Sequence, residues 1–210
     1  MQSSATSVAE KLLRAEAVKL SPDKPFTWAS GWKSPIYCDN RRLLSFPFIR
    51  DFIKSELCSV VFEKFPDADM IAGVATAGIA WGAMVADQLK LPYMYVRPKP
   101  KEHGMGNQIE GSFETGQRVM VVEDLISTGK SSLQVVEVLR ASGLIVEGMV
   151  SIFNYGFDEA ERNFLKSGVK NYSLTQYESL INLAVEKEIV TENQLKSLLN
   201  WRQRPDTWGQ

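Results

Sequence analysis

The sequence predicts an α/β fold, a mainly parallel sheet flanked by helices. Short apolar runs at 70–74, 92–96, 118–122 and 144–153 alternate with helical stretches. The runs are continuously apolar, as strands buried on both faces must be. The 210 residues contain no internal repeat and no Gly/Ser/Pro-rich linker, which suits one domain. With 44% hydrophobic and 23% charged residues, the composition excludes disorder, collagen and coiled coil. Lys plus Arg total 24 against 25 Asp plus Glu, a net charge of −1. That balance argues against a nucleic-acid or membrane-surface binder, so any affinity for anions must be local.

In chain order, Val8, Leu12, Leu13 and Ala17 recur at helical spacing and predict a helix over 7–18. Pro25, Gly31 and Pro35 make 23–39 irregular or short-stranded. An amphipathic helix fits 47–65, stopped by Pro66. The strand at 70–74 leads through the turn Thr76-Ala-Gly78 into a helix over 79–90, and the strand at 118–122 leads through a loop into a helix over 131–142. The tail from about 176 to 199 reads as two short helices, and residues 201–210 carry no pattern. Cys38 and Cys58 make no disulfide framework, and a single histidine argues against a His-ligated zinc site. The N-terminus lacks the features of a signal peptide. The longest uncharged stretch, Met70 to Ala86, is interrupted by Gly73, Gly78 and Gly82 and falls short of the ~20 apolar residues of a spanning helix. A soluble, cytoplasmic protein is expected.

Ligands of such sheets bind beyond the carboxyl ends of the strands, which selects the loops 75–78, 97–108 and 123–131. In the last, two carboxylates, Glu123 and Asp124, precede a small-residue loop that opens a helix. Backbone N–H groups, the Ser127, Thr128 and Ser131 hydroxyls and the helix dipole suit a phosphate. The carboxylates suit sugar hydroxyls or a nearby metal ion. Together they point to a phosphorylated sugar. Gly129-Lys130-Ser131 is not the end of a P-loop, because Asp124 stands where that motif needs glycine. Nor is His103-Gly-Met-Gly106 a dinucleotide fingerprint, since Ile109 occupies the third glycine position. Ala75-Thr-Ala-Gly78 is either a second anion loop or a plain tight turn. In the loop 97–108, Arg97, Lys99, Lys101 and His103 fall at alternate positions, with Pro98 and Pro100 disfavouring helix. This is a cationic strip on a flap able to close over an anion.

Val121 to Ser132 resembles the phosphoribosyl-pyrophosphate (PRPP) signature of the type I phosphoribosyltransferase family. Arg-x-Lys-x-Lys-x-His-Gly at 97–104 and Phe26 to Asn40 are similar to the flap and the base-side segment of its orotate-using members. The resemblance implies the type I fold with a small N-terminal hood. It implies a single domain: helix and hood to about 45, a PRPP-binding core over 46–175, and C-terminal helices over 176–210. It further implies that Arg97, Lys101 and His103 are catalytic and, with Lys99, bind PRPP across a homodimer. Glu123, Asp124, Leu125, Ile126, Ser127, Thr128, Gly129, Lys130 and Ser131 would hold the phosphoribosyl group. Ser127, Tyr37 and Cys38 would meet orotate, and Mg²⁺ would be held through PRPP and water rather than a protein cage. Some members carry a lysine at the positions of Ala29, Ala77 and Pro98, and an arginine near Asn154 and Tyr155, so the partner of the orotate carboxylate stays open. Other readings are a purine-salvage relative, which would not need this flap, and a PRPP-sensing regulator, which would need a nucleic-acid-binding face.

Overall fold

The computed structural model describes residues 3–28, 31–99 and 108–209. Helix α1 (Ser4–Arg14) starts where Ser3 accepts the Thr6 N–H and buries Val8, Ala9 and Leu12. It ends earlier than its periodicity suggests. Glu16 turns the chain at φ 51°, and Val18–Leu20 becomes strand β1. Ala17 is buried after all, but from that turn. Two short pairs build the hood: β2 (Phe26–Thr27) with β3 (Lys33–Ser34), and β1 with β4 (Ile36–Cys38), both antiparallel. A 3-10 turn (Asn40–Ser45) then leads to α2 (Pro47–Lys64), which has Pro47 in its first turn, where no N–H is needed.

The core follows in strand-helix alternation. β5 (Met70–Val74) is followed by α3 (Gly78–Leu89), then β6 (Tyr93–Val96) and a short β7 (Ile109–Glu110). β8 (Arg118–Ile126) is followed by α4 (Lys130–Ala141), β9 (Ile145–Asn154), α5 (Asp158–Ser167) and β10 (Asn171–Gln176). Helices α6 (Tyr177–Glu186) and α7 (Glu192–Gln203) complete the chain. The six-stranded sheet has the order β10-β9-β8-β5-β6-β7, parallel except for β7.

Alternation along β8 makes two cores. Met120 and Val122 face α1, α2, α3 and the C-terminal helices, whereas Val119 and Val121 face α4 and α5. The glycines that interrupt the 70–86 stretch let α3 lie close to the sheet. A Cβ on Gly78 would sit 2.6 Å from the Val122 carbonyl oxygen, and one on Gly82 would sit 3.1 Å from the Gly73 Cα. Among the described residues no helix is long and apolar enough to cross a membrane.

Three elements lack a strong sequence signal. β10 is Asn-Tyr-Ser-Leu-Thr-Gln, an edge strand with only Leu174 and Thr175 buried. β7 is two residues long, and α5 has a strongly charged outer face. The segment 201–210, without pattern in sequence, starts with Trp201, which has no exposure at all.

Candidate active site

β8 delivers the two carboxylates. The sequence suggests that the strand stops at Val122, but it runs to Ile126, so Glu123 and Asp124 are strand residues and the connecting loop is only 127–129. The reason is pairing: Glu123, Leu125 and Ile126 remain in register with Ser151, Phe153 and Asn154 of β9. Glu123 is 6% exposed. One of its oxygens accepts the Ser132 hydroxyl and the other the Asp124 N–H, each at 2.9 Å. Burial, reinforced by the neighbouring Asp124 charge, holds the Glu123 carboxyl well above the usual carboxylate range, and burial also raises Asp124.

A buried carboxyl of this kind should leave a signature in stability. Its folded pKa lies above its unfolded one, so its contribution is fully present below the ordinary carboxylate range and is lost as pH rises through the raised value. Glu123→Gln keeps an acceptor for the Asp124 N–H, turns its amide N–H to the Ser132 oxygen and removes the charge. The variant should gain on the order of 1 kcal/mol over wild type between pH 4 and pH 8. Thermal melts of both proteins across that range check it, and a variant that loses ground as pH rises contradicts the assignment.

The loop turns at Gly129, whose φ of +76° is left-handed, and a Cβ there would meet the Phe164 ring at 2.7 Å. α4 therefore starts at Lys130 with its first N–H groups directed to the loop. The Asn163 amide donates to the Thr128 carbonyl at 2.9 Å and steadies the turn. Glu123, Asp124, Ser127, Thr128, Gly129 and Ser131 line a cavity of about 400 Å³, closed on another side by Thr76 and Ala77. Two residues of the PRPP signature turn elsewhere. Ile126 is fully buried in the core, so only its backbone lies at the loop, and that carbonyl accepts the Tyr155 N–H. Lys130 reaches out to Glu159 at 2.7 Å.

A second cavity of about 510 Å³ lies beside the first and shares Leu125 and Ser127 with it. Tyr37 and Cys38 of β4 line it, as their place in the base-side segment implies. Burial, helped by Asp124 and Asp39, raises the Cys38 thiol, which keeps it protonated. Its other walls, Trp28 and Tyr155, were not candidates from sequence. Trp28 also packs in the hood: its Nε1 donates to the Ile36 carbonyl at 3.2 Å. Its ring lies 5.2 Å from Tyr155, which stacks on Phe157 at 5.4 Å. Asn154, near the position of an arginine in some family members, caps its own turn by accepting the Gly156 N–H at 2.8 Å.

The two ends of the segment 97–108 pair with each other. The Arg97 N–H donates to the Gln108 carbonyl at 2.8 Å, and the Gln108 amide returns a bond to the Arg97 carbonyl at 3.1 Å. Arg97 Nη1 lies 3.7 Å from Glu110 and lines a small cleft beside Ser131. Lys99 is exposed. Lys101 and His103 lie outside the described residues. Among the described residues no three acidic, histidine or cysteine side chains cluster as a metal cage. Glu123 and Asp124 line one cavity wall, so a Mg²⁺ ion carried by substrate and water would lie near them.

Residues 56–178 match the phosphoribosyl transferase domain model. An orotate phosphoribosyltransferase of Cytophaga hutchinsonii is 52% identical over 201 residues, 96% of either chain. One of Listeria innocua is 51% identical over 202 residues, 96% of this chain and 97% of its own. Among solved structures, the orotate phosphoribosyltransferase of Aeropyrum pernix superposes with a TM-score of 0.76 at 31% identity, covering 88% of this chain and 99% of that one. Leishmania donovani UMP synthase gives 0.80 at 26%, covering 95% of this chain and 42% of the larger enzyme. The paired cavities on a carboxylate-tipped strand, together with this near full-length similarity, place the chain in the orotate phosphoribosyltransferase family.

Proposed function

We propose that this chain, as a cytoplasmic homodimer, transfers the 5-phosphoribosyl group of PRPP to N1 of orotate, yielding orotidine 5′-monophosphate and pyrophosphate in de novo pyrimidine (UMP) synthesis. The observation that carries the reading is the pair of adjoining cavities with Leu125 and Ser127 as common wall. One is aromatic and sized for a planar base. The other combines adjacent carboxylates with a hydroxyl-rich helix start.

The bond from C1 to the pyrophosphate oxygen breaks, the bond from C1 to N1 forms, and the N1 proton is released. Charge builds on the leaving pyrophosphate and on the ribosyl ring, so the protein's task is electrostatic. The N–H groups and hydroxyls of 127–131 anchor the 5-phosphate and thereby orient C1. Glu123 and Asp124 take the ribose hydroxyls. Bound Mg²⁺ would neutralise part of the pyrophosphate charge. Arg97, Lys101 and His103, with Lys99 on the same strip, neutralise the rest from the flap of the neighbouring subunit. Closure of the flap keeps water from the reacting carbon.

The test follows orotate absorbance with purified protein, PRPP and Mg²⁺, with adenine, hypoxanthine and uracil in parallel. Loss of orotate that requires both PRPP and Mg²⁺ is the expected result. Consumption of another base with orotate untouched overturns the base assignment. PRPP binding without turnover of any base favours a regulator.

A further inference from the structure

The hood brings a charged group to the phosphoribosyl cavity that no motif singles out. Arg41 stands in the 3-10 turn after β4 and lines the cavity that holds Asp124, Ser127 and Thr128. Asp39 fixes it from one side: a single carboxylate oxygen accepts the Arg41 backbone N–H at 3.2 Å and its Nε–H at 2.6 Å. The Nη1 and Nη2 groups have no hydrogen-bond partner among the described residues, and the side chain is 60% exposed. Arg42, next in sequence, is used differently. Its Nε donates to the Ala15 carbonyl at 3.4 Å and its Nη2 meets Glu16 at 3.4 Å, a tie between turn and α1. The turn itself is fastened to the site, because the Asn40 amide donates to the Asp124 carbonyl at 2.7 Å.

Charge explains what the fork is for. Among the described residues lining this cavity, Arg41 is the only cation, beside two carboxylates. Lys130 is engaged with Glu159, and Arg97 lines a separate cleft. A ligand bearing phosphate at both ends needs a positive group in such a cavity, and the carboxyls supply none. The loop 127–131 offers N–H groups and hydroxyls to one phosphate, and the carboxylates suit neutral hydroxyls, so the diphosphate is left with the 75–78 turn and with Arg41, the one cation among the described residues of this cavity. We infer that Arg41 is a substrate-contacting residue, its two free Nη groups gripping the diphosphate of PRPP in cis while Asp39 holds the guanidinium in place. The inference rests on the function proposed above. A planar fork held at one edge loses little freedom on binding, and it matches two phosphate oxygens as lysine does not. Arg41 lines only the phosphoribosyl cavity and not the aromatic one, so its effect belongs to PRPP and not to orotate.

The test compares wild type with Arg41→Gln, Arg41→Lys and Asp39→Asn by steady-state kinetics and by calorimetric titration with PRPP and Mg²⁺. Arg41→Gln should raise the KM for PRPP, and that for pyrophosphate in the reverse reaction, about tenfold or more. The orotate KM should stay within about twofold, and Arg41→Lys should recover part of the loss. Asp39→Asn loosens the tether but keeps the cation, so it should cost less than Arg41→Gln. A PRPP KM and affinity unchanged in Arg41→Gln overturn the inference. So does a rise confined to orotate, or equal losses in Arg41→Gln and Asp39→Asn, which would mark a purely structural ion pair. A wild-type protein without orotate turnover defeats the proposed function instead, and the titration then still decides whether Arg41 contacts PRPP.

Discussion

Lys101→Ala should lower turnover by about 100-fold or more while leaving the melting temperature near that of wild type. Removing one group that stabilises developing charge in a transition state typically costs 10²–10³ in rate, or about 3–4 kcal/mol. Stability should have little to lose, because the sequence sets Lys101 among Pro and Gly residues and a lysine seldom belongs to a core, so the change should stay within about 0.5 kcal/mol. Arg97, at the base of the same flap, lies beside Glu110, so truncating it leaves that carboxylate exposed to change and mixes stability with chemistry. Lys101 is therefore the cleaner probe. Single-turnover kinetics and a thermal melt on the same preparation give both readouts. A fully active Lys101→Ala protein would remove the flap from the mechanism.

Trp201→Ala is expected to damage fold and base site together. The indole has no solvent exposure. Its ring sits 5.4 Å from Phe157 and Tyr177, 5.6 Å from Trp28 and 5.7 Å from Tyr155, and its Nε1 donates to the Lys33 carbonyl at 3.2 Å. Truncating a buried Trp to Ala costs about 3–5 kcal/mol from lost transfer energy and the cavity left behind. Two of its neighbours, Trp28 and Tyr155, line the aromatic cavity, so the KM for orotate should rise as well, with that for PRPP little changed. Trp201→Phe keeps a ring but leaves the Lys33 carbonyl unpaired, and should cost about 1–3 kcal/mol. Denaturant unfolding and orotate kinetics on both variants test this. A loss below 1 kcal/mol in the Ala variant would show that the aromatic cluster does not support the wall.

The parallel core was legible because burial on both faces forces continuous apolar runs, and 70–74 and 118–122 have nothing else to be. The carboxylates and the small-residue loop stood out for a related reason: adjacent charges break off such an apolar run abruptly. Boundaries were less so. Nothing in Glu123-Asp124-Leu125-Ile126 announces that β9 goes on pairing with it, and a charged pair inside a strand looks like the strand's end. β10 hid because an edge strand needs few apolar residues. Trp28, Tyr155 and Trp201 meet only in three dimensions, from segments far apart in sequence, and no local pattern encodes such a meeting. Asp39 and Arg41 are two apart, but whether that pair faces solvent or a cavity is decided by the Asn40 bond to Asp124.

The partition formed by Leu125 and Ser127 bears on inhibitor design. Each compartment alone offers a small ligand limited area, and a fragment that fills one pays its own cost of immobilisation. Because the two compartments abut, a short covalent linker between a planar anion and a phosphate-bearing group would turn the second docking event into an intramolecular one. Its effective concentration would lie in the millimolar range, roughly, with no new protein contact required. Selectivity would then come from the aromatic side, where Trp28 and Tyr155 set the shape, and potency from the polar side.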